Sequence, residues 1–517
     1  LNYNPVAQFA RRCIADPDRI ALVADGVALT YAEAAGYARA IACALRSAGR
    51  PGARVGILGS RSIAACLAVL GTCWSGATYV PLGLKLPEER LVAVLRSSRF
   101  DALIADGAGE ALLTAPVLAA APEIVLLADN LGDHGGRDHP HWRLRDGVDD
   151  GSEPAAMKSG DVAYIEFTSG TTGTPKGVVI NAGALHHFIS LMQDLYALTP
   201  DDRVAETTDL SFDISAANMF MTWNAGASLY IVSRAAAWTP AKFIRENDLT
   251  MWHSVPSVIA FLQRTKMLRP GSLPSLRHSA FAGEPLPAAA AAAWMEAAPN
   301  STLDNLYGPT EATVECLRQA VTETPRLTLE RGTMAIGRPL PGMDAAILDE
   351  ELRFVPFGVR GQIALSGPQL AVGYLDQPEL TAARFPTIDG RRWYLTSDFG
   401  YQDEDGIFHH LGRIDNQVKV LGNRVELEDI DVHLRRAGGT MSVAAVAWPI
   451  AHGSASGIVA FVAGAGLSGA HIREALRGSL PAYMIPQTVV ELESLPLNAN
   501  GKVDRLALVA LLDDGKA

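Results

Sequence analysis

Thr168-Ser169-Gly170-Thr171-Thr172-Gly173-Thr174-Pro175-Lys176-Gly177-Val178, or TSGTTGTPKGV, follows the apolar run Val162–Phe167. That run has the composition of a buried strand. The stretch holds three glycines (Gly170, Gly173, Gly177), five hydroxyls (Thr168, Ser169, Thr171, Thr172, Thr174) and Lys176. Glycine lets a backbone turn its N–H groups toward an anion, hydroxyls add donors, and lysine adds a point charge. Together they suit a polyphosphate. The bland alternative is a flexible surface loop, but a lysine in a Gly/Thr loop wedged between two strand-like runs is unusual for a linker. A Walker A loop does not fit either. Pro175 precedes the lysine and Gly177 follows it, and β-branched Val178–Ile180 predicts a strand, so no helix begins there to point its dipole at phosphate.

Working outward, 517 residues at 48% hydrophobic are more than one core needs, so two or more domains are expected. The net charge of −12 lacks the basic footprint of a nucleic-acid binder. Cys13, Cys43, Cys66, Cys73 and Cys316 are scattered and form no CxxC pair, which points to neither a zinc site nor a disulfide framework. A reducing, cytoplasmic compartment follows as the default, and no signal peptide is visible. The longest apolar stretch, around Ala64–Trp74, is shorter than the ~20 residues of a membrane span.

N-terminal to the loop, Ala21–Val23 and Val27–Thr30 flank Ala24-Asp25-Gly26 as a hairpin. A helix pattern runs from Tyr31 to Ala48. Strand, helix and strand follow at Arg54–Leu58, Ser62–Trp74 and Ala77–Pro81, an alternation that argues parallel α/β layers. Residues Asn130–Asp161 read as an exposed connector. Its His134, His139 and His141 fit no standard metal spacing, so a solvated loop is the simpler reading.

C-terminal to the loop, Ala182–Tyr196 reads as a helix. So does the alanine run Ala288–Ala293, opened by Pro287. From Met334 the chain turns Gly- and strand-rich, with runs at Ala345–Leu348, Gly361–Leu365, Arg392–Leu395 and Ile407–His410 that suggest an antiparallel subdomain. The boundary is placed after Arg413. Residues 1–413 form an N-terminal core and 414–517 a small α+β lid, with strands near Val443–Trp448 and Ile458–Ala463 and a helix near Gly469–Arg477.

Four further clusters carry chemistry. Asn305–Thr313, NLYGPTEAT, sets an aromatic, a Gly-Pro turn, a hydroxyl and a carboxylate close together. Tyr394–Gly400, YLTSDFG, places Asp398 at an expected strand end, where a carboxylate can accept both hydroxyls of a ribose. Arg413 follows in HLGR. LPLNANGKVDR carries Lys502 on a loop near the end of the chain. In isolation each has a bland reading as a turn, a cap or a surface loop. No Ser-His-Asp or Cys-His arrangement stands out, and His409 and His410 read as strand residues.

Together these motifs resemble the adenylate-forming superfamily, which includes peptide-synthetase adenylation domains, acyl-CoA synthetases and luciferases. The resemblance runs from LTYAEAA near the start to the terminal lysine loop, and includes GQIALSGPQLAVGYLDQPELT. Gly83 stands where that family usually has an acidic residue. The resemblance implies ATP and Mg²⁺ as cofactors. Thr168, Ser169, Gly170, Thr171, Thr172 and Lys176 would hold phosphates, Asn305, Tyr307 and Gly308 would lie at adenine, and Asp398 and Arg413 at ribose. Thr310 would touch the α-phosphate, Glu311 the metal, and Lys502 would be catalytic. Asp415 would be the hinge on which the lid swings between adenylation and thiol transfer.

Ser211-Phe212-Asp213-Ile214-Ser215 resembles the segment whose aspartate binds a substrate α-amino group. The other pocket positions would be Ile214, Ala217, His253, Ala280, Ala282, Leu306, Val314 and Glu315. If His253 and Glu315 face the pocket, a side chain with a donor is favoured; if not, a small apolar amino acid fits. FHHLGRIDNQVKVLGNRVELEDID and LPAYMIP also resemble the D-alanine–carrier protein ligase branch.

Neither a carrier-protein GGxS serine motif nor a condensation-type HHxxxDG is present, so the expectation is a stand-alone adenylation enzyme, or one excised from a larger synthetase. It would load the phosphopantetheine thiol of a separate carrier protein in secondary-metabolite biosynthesis, with a small activator protein as a possible partner and no membrane. Two rivals stay open: an acyl-CoA synthetase acting on an acid without an amino group, and a non-catalytic nucleotide-binding paralogue.

Overall fold

The computed structural model describes residues 2–48, 52–128, 149–168, 175–322, 324–451, 454–464, 468–497 and 503–515. The chain forms two compact units, one of Leu1–Leu84, Leu95–Phe167 and Gly177–Leu411, the other of Lys85–Val94, Thr168–Lys176 and Gly412–Ala517.

The larger unit is mixed α/β and carries two broad sheets. In the seven-stranded sheet, Val162–Thr168 and Thr78–Leu82 are parallel neighbours. Arg54–Leu58, Ala102–Asp106 and Ile124–Ala128 continue the parallel run, and Lys176–Asn181 lies on the other side of Val162–Thr168. Apolar runs with little alternation suit such strands, which are covered on both faces. Helix Ile63–Trp74 is buried at every position, and the Ser62 hydroxyl caps it by accepting from Ala65 N at 3.0 Å.

The nine-stranded sheet has a parallel centre of Ser228–Ile231, Arg203–Glu206, Met251–Ser254, His278–Phe281 and Thr302–Tyr307. Helix Ile214–Ala225, buried along almost its whole length, joins the two layers. Its Phe220 ring lies 6.2 Å from that of Tyr79 in the first sheet, and its Asn218 bonds His253 in the second. The alanine run forms the helix Ala288–Ala297, entered from Pro287.

A four-stranded sheet follows, of Asp344–Leu348, Gly361–Ser366, Tyr394–Gln402 and Phe408–Arg413. The expected run Arg392–Leu395 is broken at Trp393, with Arg391–Arg392 pairing separately with Thr387–Ile388. Asp398 also corrects expectation. It sits inside Tyr394–Gln402, not at a strand end. The register against Gly361–Ser366 shifts there, and Ser397 adopts φ 62°. This irregularity re-aims a mid-strand carboxylate, as bulges do beside functional sites.

In the smaller unit, helices Leu427–Gly438 and Gly469–Arg477 pack on the sheet Val443–Ala447, Ile458–Ala463 and Thr488–Leu492 around a core that includes Ile430, Leu434, Val443, Ala460 and Ile472. All five cysteines are free. Among the described residues no helix is long and apolar enough to cross a membrane.

Candidate active site

Strand Thr302–Tyr307 delivers Tyr307 half-buried at its end. The phenol donates to Asp398 Oδ2 at 2.5 Å, and His410 Nε2 lies 3.4 Å from Asp398 Oδ1. Arg331 donates to His410 Nδ1 at 2.7 Å, which leaves the neutral imidazole's proton on Nε2, toward Asp398. Burial, then the Asp398 charge, pushes the Tyr307 phenol well above its ordinary range. His410 is thus in a strand, as its pattern suggested, yet it belongs to this cluster.

After Tyr307 the chain doubles back. A Cβ on Gly308 would stand 2.4 Å from Val314 O and 2.5 Å from Glu315 Cα, so glycine is what permits the approach. Thr310 and Glu311 lie in the 3₁₀ turn Thr310–Ala312. Thr313 and Val314 then take φ values of 56° and 66°, costly for β-branched residues. Gln369 holds them there. Its buried amide donates to the carbonyls of Ala312, Thr313 and Glu315 at 3.2, 3.3 and 2.8 Å, and its backbone carbonyl accepts from Thr313 Oγ1 at 2.6 Å. Asn305 donates to Ala335 O at 2.8 Å, so its amide braces the strand.

Glu311 is fully buried, and Tyr374 donates to its Oε1 at 2.8 Å. No group of three or more His, Cys, Asp or Glu side chains able to hold a metal occurs among the described residues. One carboxylate fits Mg²⁺, which takes one or two protein carboxylates and fills its remaining positions with phosphate and water.

A second group gathers around helix Ile214–Ala225, at the positions expected to face the acid. Asp213, half-buried, precedes helix Ile214–Ala225, which carries Ile214 and Ala217. His253 is in register with Ala280 on the neighbouring strand. Its Nε2 lies 3.3 Å from Glu315 Oε1, both side chains being buried, and its Nδ1 bonds Asn218 Oδ1 at 3.0 Å. Ala282, Leu306 and Val314 are buried and apolar. Sequence reasoning passed over Asn218, Gln369 and Glu166. Glu166 is a buried carboxylate whose protonated form is favoured by burial and then by the Asp213 charge. Its signal was legible as one acid inside the otherwise apolar VAYIEF.

Thr168 ends its strand, while Ser169, Gly170, Thr171 and Thr172 lie outside the described residues. Lys176 is buried, with Nζ 3.2 Å from Glu426 Oε1, which also accepts from Gln417 Nε2 at 2.6 Å. Arg413 pairs in a fork with Asp415, at 2.7 and 2.8 Å, so the expected ribose contact and the expected hinge residue hold one another. Lys502 lies outside the described residues. Its flanks are fixed by a bridge between Leu497 and Val503 and by Asp504 N donating to Pro496 O at 2.8 Å. His134, His139 and His141 also fall outside the described residues.

Comparison with known proteins identifies the family of the chain. The model of the AMP-binding enzyme family matches residues 9–375. Tyrocidine synthase 3 of Brevibacillus parabrevis is 34% identical over 95% of this chain, and enterobactin synthase component F of Escherichia coli K12 is 32% identical over 97%. The chain spans 7% and 39% of those relatives' lengths. Among solved structures, the Vibrio cholerae adenylation domain AlmE in complex with glycyl-adenosine-5'-phosphate matches with a TM-score of 0.87 at 30% identity, covering 99% of this chain and 98% of that one. IdnL7 matches with a TM-score of 0.74 at 34% identity over the whole of both chains. ATP with Mg²⁺ serves enzymes of this kind. The chain belongs to the AMP-binding enzyme family, as an adenylate-forming ligase of the nonribosomal peptide synthetase adenylation type.

Proposed function

We propose that this protein activates an amino acid as its aminoacyl-AMP and passes the acyl group to the phosphopantetheine thiol of a carrier protein on a separate chain. In the first step a substrate carboxylate oxygen attacks the α-phosphorus of ATP, the bond to the β-phosphate oxygen breaks, and pyrophosphate leaves. In the second, the thiol sulfur attacks the acyl carbon, its proton is lost to solvent, and AMP leaves.

The observation that carries the reading is Asp213, set half-buried at the start of the buried helix whose Asn218 bonds His253, itself 3.3 Å from Glu315. A carboxylate at that place is a suitable counter-charge for a substrate ammonium. That AlmE binds glycyl-adenosine-5'-phosphate supports an aminoacyl adenylate as the product.

Both reactants of the first step are anionic, so the barrier is largely electrostatic. Mg²⁺, with Glu311 as its protein ligand, would neutralise charge on the departing pyrophosphate. Tyr307 and Asp398 bind and orient the nucleoside, Thr310 contacts the α-phosphate, and the phosphate loop with Lys176 binds the polyphosphate. Lys502 supplies positive charge where it builds. Arg413 contributes to ribose binding, and Asp415 is the hinge.

The test is substrate-dependent ATP–pyrophosphate exchange with amino acids and their des-amino analogues. Response to an amino acid with its des-amino partner inert is expected. Response to the amine-free acid would move the chain to the acyl-CoA branch, and silence across the panel with nucleotide binding retained would indicate a non-catalytic paralogue.

A further inference from the structure

The acid side of the larger unit buries more carboxylate than a single substrate ammonium uses. Glu166 is 3% exposed and Glu315 1%. Glu166 shares a sheet face with Tyr164, two residues earlier on the same strand, and Tyr164 stacks on Tyr79 of the neighbouring strand with ring centroids 5.4 Å apart. The phenol of Tyr164 is raised first by burial, then by the charges of Asp213, Glu166 and Glu315, so these three acids bear on one neighbourhood. Glu166 Oε1 and the Tyr164 hydroxyl are buried without a hydrogen-bond partner among the described residues.

Proton accounting at Glu315 leads the same way. Asn218 Nδ2 donates to Glu206 Oε1 at 3.5 Å, which turns Asn218 Oδ1 toward His253. His253 Nδ1–H donates to that oxygen, which turns the other ring nitrogen, Nε2, toward Glu315. Nε2 faces Glu315 Oε1 at 3.3 Å, and neither these two atoms nor Glu315 Oε2 has a hydrogen-bond partner among the described residues. Both oxygens of a buried carboxylate thus lack a donor among the described residues. An ammonium carries three donors, and a neutral side chain carries fewer and no charge.

We propose that the acid pocket selects a diamino carboxylic acid, its backbone ammonium held at Asp213 and its second ammonium at the two oxygens of Glu315, beside His253. This rests on the amino-acid-activating function proposed above, and makes Glu315 the residue that sets the choice of side chain.

Exchange assays on the intact chain decide it. The substrates are 2,3-diaminopropionate, 2,4-diaminobutyrate, ornithine and lysine. Their controls replace the terminal ammonium with methyl, as 2-aminobutyrate, norvaline, norleucine and 2-aminoheptanoate. One diamino acid is expected to exceed its control by about 10³-fold in kcat/KM, because a site built for a donor rejects the analogue lacking it. In E315Q that ratio falls below about tenfold with the KM for ATP held. A neutral amino acid as best substrate overturns the proposal and leaves amino-acid activation standing, whereas a des-amino acid as best substrate removes both. If exchange is silent, calorimetric titration with the acyl-sulfamoyladenosine forms of the same pairs decides instead, and equal affinity within each pair overturns the proposal. The wild-type panel suffices even where a variant fails to fold.

Discussion

On the nucleoside side, protein partners hold the polar groups in place. Tyr307 donates to Asp398, His410 turns its Nε2 proton the same way under Arg331, and Tyr374 binds Glu311. On the acid side, Glu166 Oε1, His253 Nε2 and both oxygens of Glu315 are buried without hydrogen-bond partners among the described residues. The contrast separates two ways of recognising a ligand. A nucleotide is shared by the whole family, so its side is pre-organised by internal hydrogen bonds and reorganises little on binding. On the function proposed above, a particular acid is recognised by deficits that only the right substrate fills, which makes acceptance of the wrong one costly.

The contrast breaks most sharply at Lys502. Replacing it by alanine removes the charge assigned to the transition state and is expected to lower the exchange rate about 10³-fold. Nucleotide binding, read by calorimetry, stays within a fewfold. Unchanged exchange would remove Lys502 from the mechanism. On the acid side, Asp213→Ala should cost about 10²-fold in kcat/KM for the amino acid, the range for taking one partner from a buried charge pair. The KM for ATP should change less than threefold. Equal loss in both parameters would make Asp213 a structural residue and erase the division between the two sides.

The division also follows how much was legible in the sequence. The helices Tyr31–Ala48, Ala182–Tyr196 and Gly469–Arg477 form over the ranges their periodicity marks, since apolar spacing and flanking residues act locally. The motif Asn305–Thr313 could be read because its chemistry lies within a few adjacent residues. Asp398 was misplaced to a strand end because a bulge arises from pairing with another strand, which no local pattern records. His410 was read only as a strand residue because its partner Asp398 lies on a different strand, and Asn218 was missed because its partners, Glu206 and His253, come from two separate strands. Glu166 did leave a local sign, an acid in an apolar strand, but its neighbour Asp213 is contributed by another element.

A smaller effect sharpens the boundary between the two sides. Gln369 clamps the turn that carries Thr310 and Glu311 at one end and Val314 and Glu315 at the other. Gln369→Ala strips a donor from three carbonyls and releases the left-handed Thr313 and Val314. The expected cost is about 2 kcal/mol of stability in urea unfolding. Exchange should slow about tenfold through kcat, with KM for ATP and for the acid shifting together. A change in only one KM would show that the turn serves a single side.

The smallest effect on exchange lies behind the acid side, at Glu206. Its Oε1 accepts from Thr208 N and Oγ1, both at 3.0 Å, and from Asn218 at 3.5 Å, while Oε2 has no hydrogen-bond partner among the described residues. Burial outweighs those hydrogen bonds and raises the carboxyl to about 8, from an ordinary 4.5. Between these values the folded protein binds a proton that the unfolded chain has released. Stability from this group is therefore fully present below pH 4.5 and is lost as pH rises to 8, by at most ~1.4 kcal/mol per pH unit. Glu206→Gln keeps the accepting oxygen and removes the titration. Urea unfolding should then show wild type losing stability from pH 5.5 to 8.5 more steeply than the variant, with the variant the more stable of the two at the alkaline end. The hydrogen bond from Asn218 survives the exchange, so the orientation of His253 and the choice of acid should not change. Parallel pH profiles would mean that Glu206 does not change its protonation across that range.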